Sequence, residues 1–124
     1  MIIGMGCDIV EHKRTKALKW DIDKTVQQRI FSAEEMKLYK TEKAIRFLSG
    51  RFAAKEAVLK CIGTGMIDTI SLKDIKILSD NLGKPVVKLA GSIKKISNTR
   101  GIKLWHISIT HSSSNSVAFV IAES

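Results

Sequence analysis

Apolar positions change their period along this chain, and the changes mark its elements. From Ile2 to Ile9 the residues are almost continuously apolar, interrupted by Gly4, Gly6 and Asp8, which predicts a buried strand. The two glycines leave room for another backbone to come close. A short helix is expected after Asp8. Ser32-Ala33-Glu34-Glu35 has the spacing of a capping box ahead of Met36, Leu38 and Tyr39, so a helix starts there. Ala44, Ile45, Phe47, Leu48, Phe52, Ala53, Ala57, Val58, Cys61 and Ile62 then recur near the helical period. They predict one long helix from about residue 42 to residue 62, ended by Gly63.

Beyond Gly63 the period shortens to that of strands. Ile75 and Ile77 alternate with polar neighbours, Asp80-Asn81-Leu82-Gly83 reads as a turn, and Pro85 to Leu89 returns, making a hairpin. A short helix around Ser92 to Ile96 leads to the turn Asn98-Thr99-Arg100-Gly101. Leu104 to Thr110 and Val117 to Ile121 form a second hairpin across a serine-rich turn. Helices gather in the first half, and antiparallel strands lie mainly in the second half together with the N-terminal one. The expectation is a single α+β domain over residues 1–124, without internal repeats.

Composition narrows the class. With 44% apolar and 27% charged residues and one proline, the chain has globular values. No apolar run approaches the roughly 18 residues that span a bilayer. The opening MIIGMGCD lacks a basic leader and meets Asp8 too soon for a signal peptide, so no membrane span and a cytoplasmic location are expected. Cys7 and Cys61 make neither a CxxC pair nor a metal spacing, which suits reduced thiols used for packing. The net charge of +9, spread over both halves, favours nucleic acid, anionic lipid, polyphosphate ligands or an acidic protein as partner. Its densest stretch runs from Lys13 and Arg14 through Lys16 to Lys19 and Trp20. It reads as a basic helical face with an aromatic edge, or as a merely solvated face.

Candidate chemistry lies in three segments. Glu56 and Lys60 share a helix face, Arg51 lies on a neighbouring turn, and Gly63-Thr64-Gly65 follows. A carboxylate and an ammonium one turn apart beside a glycine turn suit a metal-held phosphate site; the same spacing also suits a surface ion pair with Gly63 as a plain C-cap. Asp8 interrupts an apolar strand, where a carboxylate needs a cation or hydrogen-bond donors; capping the next helix is the alternative. Asp8 and Glu56 together offer two oxygens of the kind Mg²⁺ takes, with waters and phosphates completing its octahedron. His111 ends an alternating strand. His106, five residues away, points to the opposite face, which argues against a two-histidine chelate.

Three ordered motifs, GMGCDIVE (4 to 11), GRFAAKEAVLKCIGTG (50 to 65) and HISITHS (106 to 112), resemble the holo-acyl-carrier-protein synthase family, the small single-domain 4'-phosphopantetheinyl transferases. The similarity runs over essentially the whole chain. It implies the 4'-phosphopantetheinyl transferase fold, assembled as a homotrimer with active sites between subunits. It implies transfer of phosphopantetheine from coenzyme A to a serine of apo acyl carrier protein, leaving adenosine 3',5'-bisphosphate. Under that resemblance Asp8 and Glu56 hold Mg²⁺, Lys60 neutralises the pyrophosphate, and Arg51 and Lys60 anchor coenzyme phosphates. Backbone around Gly63 and Gly65 approaches the ligand, and His111 lies at the coenzyme A site. Lys13, Arg14, Lys16 and Lys19 grip the acidic carrier. Cys7 and His12 stand where the family more usually has aliphatic or hydroxyl residues, and Ser112 where it often has Thr. None of these departures removes a charged group. The competing class, a basic RNA-binding module, calls for stacking aromatics and an RRM or KH signature. The seven Trp, Tyr and Phe residues sit mostly at core-like positions and no such signature is present, so nucleic acid is not the expected partner.

Overall fold

One helix organises the molecule. The computed structural model describes residues 1–124, and α4 (Ile45–Ile62) runs through its centre against a three-stranded sheet. That sheet has the order β1 (Ile2–Glu11), β5 (Asn115–Glu123), β4 (Leu104–His111), all antiparallel. A separate hairpin of β2 (Ile75–Ser79) and β3 (Pro85–Leu89) packs on another side of α4, beside α3 (Ala33–Glu42). Two short helices, α1 (His12–Ala17) and α2 (Lys24–Ile30), join β1 to α3, and α5 (Gly91–Thr99) joins the hairpin to β4. This is the α+β arrangement expected, with a long-range closure the pattern did not reveal: the first strand pairs with the last, Gly6 opposite Val120 and Asp8 opposite Ala118.

The sheet lies directly on the helix backbone. A Cβ at Gly4 would strike the carbonyl of Cys61, and one at Gly6 the carbonyl of Ala57. Ala118, Val120 and Ala122, all fully buried, continue this inner face on β5. Two residues of strand advance about 6.7 Å and four residues of helix about 6 Å, so β1 steps along α4 one turn at a time. Asp8, the next inward position, is thereby carried to the flank of the helix that bears Glu56 and Lys60.

A buried ion pair fixes the other side of α4. Lys55, fully buried, donates to Glu35 Oε1 at 2.6 Å and to the carbonyls of Ile75 and Leu72 at 2.6 and 2.9 Å. Glu35 also accepts from the Ser32 amide and hydroxyl, completing the predicted capping box, and from the Ile77 amide. Burial pulls the Lys55 pKa down while the Glu35 charge opposes it. Removing one partner of such a pair leaves a buried charge and costs about 3–5 kcal/mol.

Several boundaries differ from the sequence reading. Lys43 adopts a left-handed conformation (φ 52°) and Ala44 is extended, so α3 and α4 are separate and the long helix begins at Ile45 instead of residue 42. β1 continues to Glu11, and the terminal helix α5 spans Gly91–Thr99 instead of Ser92 to Ile96. Helix α2 was not anticipated; its legible signal is Asp23, whose carboxylate accepts from the amides of Thr25 and Val26. Trp20 is no exposed edge. It is 5% exposed, 4.4 Å from the Phe52 ring centroid and edge-on to Phe31, because the chain turns inward at Lys19 (φ 61°). Cys61 is buried, with its Sγ donating to the Val120 carbonyl at 3.3 Å, as a packing thiol should be; Cys7 is exposed on the outer sheet face.

Gly6→Ala tests the strand-on-helix contact. The added methyl has backbone in front of it, so a loss of about 1–3 kcal/mol is expected as a shift in the urea midpoint at unchanged m-value. A midpoint equal to wild type would mean the two backbones do not touch.

Candidate active site

The sequence-predicted residues fall in two clefts on different sides of α4. In the first, Asp8 and Glu56 meet Arg14, Trp20, Phe52 and Asn115 in a groove between β1, α1 and α4. Asp8 does not cap the following helix: the N-cap is Glu11, with no side-chain bond. Nor do Glu56 and Lys60 form the simple helix pair. Lys60 Nζ turns to β1, donating to the Cys7 carbonyl at 2.8 Å and to Asp8 Oδ1 at 3.3 Å. Glu56 accepts no hydrogen bond from the protein. Burial, and then the Asp8 charge, push its pKa up, against the pull of Lys60.

Two neighbouring carboxylates, one of them short of partners, fit a hard divalent cation, which would relieve their repulsion. No third His, Cys, Asp or Glu joins them. The remaining coordination positions are thus left to water and phosphate oxygens, which is how Mg²⁺ is ordinarily held.

The second cleft is basic. Arg51 precedes Glu56 by five residues and is turned from it by about 140° around the helix. Its guanidinium donates to the Ile77 carbonyl at 3.3 Å and to Ser79 Oγ at 3.0 Å, and stacks 4.2 Å from the Phe47 centroid. His111, Arg46 and Glu42 line the same cleft. His111 fits because Gly50 lies beneath it: a Cβ there would meet its Cε1 at 2.9 Å. Its Nδ1 shares a hydrogen bond with Ser116 Oγ at 2.7 Å. His106 lies on the other sheet face, paired with Glu123 at 3.1 Å, as strand alternation predicts.

Arg46 is the functional candidate that sequence reasoning missed. Its signal was electrostatic. The first turn of α4 carries no acidic residue but does carry this arginine, and a cation at a helix N-terminus opposes the helix dipole. An anion bound there would offset both charges.

The remaining predicted positions divide. Lys13, Arg14 and Lys16 lie exposed on α1, Lys13 beside Glu11 at 3.5 Å; Lys19 falls past the end of that helix. Gly63 caps α4 in the left-handed conformation (φ 81°), and its amide already donates to the Leu59 carbonyl at 2.9 Å. The Gly63 amide itself is therefore engaged in the helix cap, and any approach of backbone to a phosphate there falls to the residues around it. Gly65 (φ 61°) stands in open space, so close approach remains available there.

Comparison with known proteins adds the family. The family model of the 4'-phosphopantetheinyl transferase superfamily matches residues 4–121. The holo-[acyl-carrier-protein] synthase of Blochmanniella pennsylvanica is 39% identical, with 99% of each chain covered. The crystal structure of holo-[acyl-carrier-protein] synthase from Neisseria meningitidis superposes with a TM-score of 0.90 at 34% identity, covering all of both chains. The Bacillus anthracis holo-(acyl-carrier-protein) synthase in complex with CoA (3',5'-ADP) gives 0.82 at 34% identity, covering 100% of this chain and 98% of that one.

The raised pKa of Glu56 has a consequence for stability. A carboxyl whose folded pKa is raised favours the fold when protonated. That contribution is complete below the ordinary glutamate range and is lost as pH rises through the folded value. In the absence of divalent metal, Glu56→Gln is therefore expected to melt above wild type at neutral pH, with the gap closing in acid. A variant that melts lower at neutral pH would show that ionised Glu56 is held by partners other than a metal.

Proposed function

The chain belongs to the 4'-phosphopantetheinyl transferase superfamily, with the holo-[acyl-carrier-protein] synthases, and we propose that it moves 4'-phosphopantetheine from coenzyme A to a serine of apo acyl carrier protein in a Mg²⁺-dependent reaction. The observation that carries this reading is the Asp8 and Glu56 pair, with Lys60 hydrogen-bonded to Asp8 and Arg14 in the same groove. In that reading the partner's serine hydroxyl gives up its proton to water as its oxygen forms a bond to the phosphorus bearing pantetheine. The bond from that phosphorus to the adenosine 5'-phosphate oxygen breaks, and adenosine 3',5'-bisphosphate leaves.

Asp8 and Glu56 would hold Mg²⁺, which supplies charge neutralisation for the pyrophosphate oxygens as the bond breaks. Lys60 would reach the same group: its side chain is half exposed and its Nζ already lies at Asp8. Arg51 is pre-set by Ser79 and the Ile77 carbonyl, so little conformational freedom remains to be lost when it meets an anion. With Arg46 and His111 it would anchor a coenzyme phosphate, and Gly65 lets backbone come near the ligand. The nucleophile belongs to the carrier, so the chain needs no activated serine or cysteine of its own.

A homotrimer with active sites between subunits fits two features of the chain. The outer face of the β1-β5-β4 sheet exposes Ile3, Met5, Ile9, Leu104 and Phe119, an apolar patch of the kind that a second subunit covers. The basic and acidic clefts also lie apart on one chain, so a neighbour's anchors could complete a site. Sedimentation at three times the chain mass is the matching readout. No helix is long and apolar enough to cross a membrane. The reaction we propose would serve fatty acid biosynthesis in the cytoplasm.

The decisive assay is mass gain of purified apo carrier. Glu56→Gln and Asp8→Ala are each expected to lower kcat by about a hundredfold or more at unchanged circular dichroism, because each removes a charge on which the transition state depends. Near-wild-type turnover in Glu56→Gln at saturating Mg²⁺ would remove the pair from catalysis.

Helix α1 generates a separate expectation. If Lys13, Arg14, Lys16 and Lys19 steer an acidic carrier, their effect is screened over about 8 Å at physiological salt. The wild-type kcat/KM for carrier should then fall with added salt, and Lys13→Glu with Lys16→Glu, which lie outside the Asp8 and Glu56 groove, should lose most of that slope while coenzyme A affinity holds. An unchanged slope in the double variant would leave α1 as solvated surface.

A further inference from the structure

Ser116, the second residue of β5, is fully buried, and three groups converge on its hydroxyl. His12 Nε2 lies at 2.8 Å, His111 Nδ1 at 2.7 Å and the Arg46 carbonyl at 3.4 Å. His12 opens α1, whereas His111 lines the basic cleft with Arg46 and Arg51. The two imidazole centroids are 6.4 Å apart. One hydroxyl thus joins the helix assigned to the carrier with the cleft assigned to the coenzyme.

Proton counting limits what this junction can do. A hydroxyl has one proton and two lone pairs, and a carbonyl only accepts. At most one histidine nitrogen can accept from Ser116, so at least one histidine donates to it. When His111 carries protons on both nitrogens it donates through Nδ1, the Ser116 proton turns to His12 or to the Arg46 carbonyl, and every partner stays satisfied. Nε2 of His111 has no partner in the protein, so its N–H is left for a ligand in the cleft.

We propose that His12, Ser116 and His111 form a hydrogen-bond relay in which His12 is a positioning residue, holding His111 so that it receives a proton and donates through Nε2 when a phosphate monoester occupies the Arg46 and Arg51 cleft. This rests on the reading of that cleft as a coenzyme phosphate anchor. Without ligand, burial first, and then the charges of Arg46, His12 and Arg51, hold His111 below the usual histidine range. The charged groups that face it are Arg46 and Arg51 from α4, His12 from α1 and Glu42 from the end of α3. β5 brings Ser116 and the β2–β3 hairpin brings Ser79, neither of which titrates in this range. A phosphate between the two arginines offsets their repulsion of an imidazolium, so binding takes up a proton at His111. Affinity is therefore highest below the His111 pKa of the complex and declines as pH rises through it.

The test uses the full chain with adenosine 3',5'-bisphosphate as probe. Calorimetric titration spans the histidine range, and nitrogen NMR of histidine-labelled protein reports the protonation of His111. Wild type is expected to take up a proton on binding and to show both His111 nitrogens protonated in the complex. Ser116→Ala and His12→Phe should each weaken binding about five- to tenfold and flatten its pH dependence, the loss expected for one ordinary hydrogen bond. In turnover the coenzyme A KM should rise more than kcat falls. His12→Gln, whose amide can still donate to Ser116, should restore most of the affinity. Ser116→Ala only removes an oxygen, so it decides the matter should His12→Phe fold poorly. Wild-type affinity, pH profile and His111 protonation in Ser116→Ala would overturn the relay and leave the proposed function standing. A wild-type protein that does not bind the bisphosphate would overturn both.

Discussion

The absence of side chains at Gly4 and Gly6 is the constraint on which the rest of the structure depends. Without a Cβ at either position, β1 lies against the carbonyls of Ala57 and Cys61, and the strand advances along α4 in steps matched to the helical turn. Any bulkier residue would lift the strand, and Asp8 would rise with it. The carboxylate reaches Lys60 because the backbone beneath it is so close. Packing and chemistry are therefore the same event here. Small inner residues on β5, Ala118 and Ala122 among them, keep the neighbouring strand equally near.

A second device holds the helix from behind. Lys55 is adjacent in sequence to Glu56 yet entirely buried; it ties α4 to the capping box of α3 through Glu35, and to the carbonyls of Leu72 and of Ile75, the first residue of β2. Adjacent residues of one helix thus serve opposite ends: Lys55 anchors inward and Glu56 faces the cleft. A fully satisfied buried pair of this kind specifies one arrangement more than it adds net stability. The specification matters because Arg51 lies on the same helix and meets the β2–β3 hairpin through Ser79 and Ile77. If α4 rotated, both clefts would be lost together.

Much of this was legible in the residues, and what was not has physical reasons. The capping box at Ser32 and Glu35, the Gly63 cap and both hairpins are local signals, and each formed where its spacing demanded. The role of Gly4 and Gly6 was also readable as close backbone approach, though not which backbone. Pairing of β1 with β5 is set by contacts between the chain ends, which periodicity does not encode. The apolar period ran through residue 42 to 44 because a single left-handed residue, Lys43, breaks a helix without altering the pattern. In the candidate site, Asp8 and Glu56 were singled out from their chemistry together with the family resemblance, and the structure brings both to one groove. Their partner Lys60 was found with the wrong contact, since helical spacing favoured Glu56 and tertiary approach gave Asp8. Arg46 escaped notice because its meaning depends on a cleft that α3, α4, the β2–β3 hairpin and β4 build together.

The central claim is that Asp8 and Glu56 form a metal pair that meets the coenzyme pyrophosphate. Crystals grown with coenzyme A and Mn²⁺ in place of Mg²⁺ test it most directly, through the anomalous signal of the metal. The account predicts one Mn²⁺ between the Asp8 and Glu56 carboxylates, sharing an oxygen with the pyrophosphate. Coenzyme A bound with its pyrophosphate away from these carboxylates, and no metal between them, would contradict it.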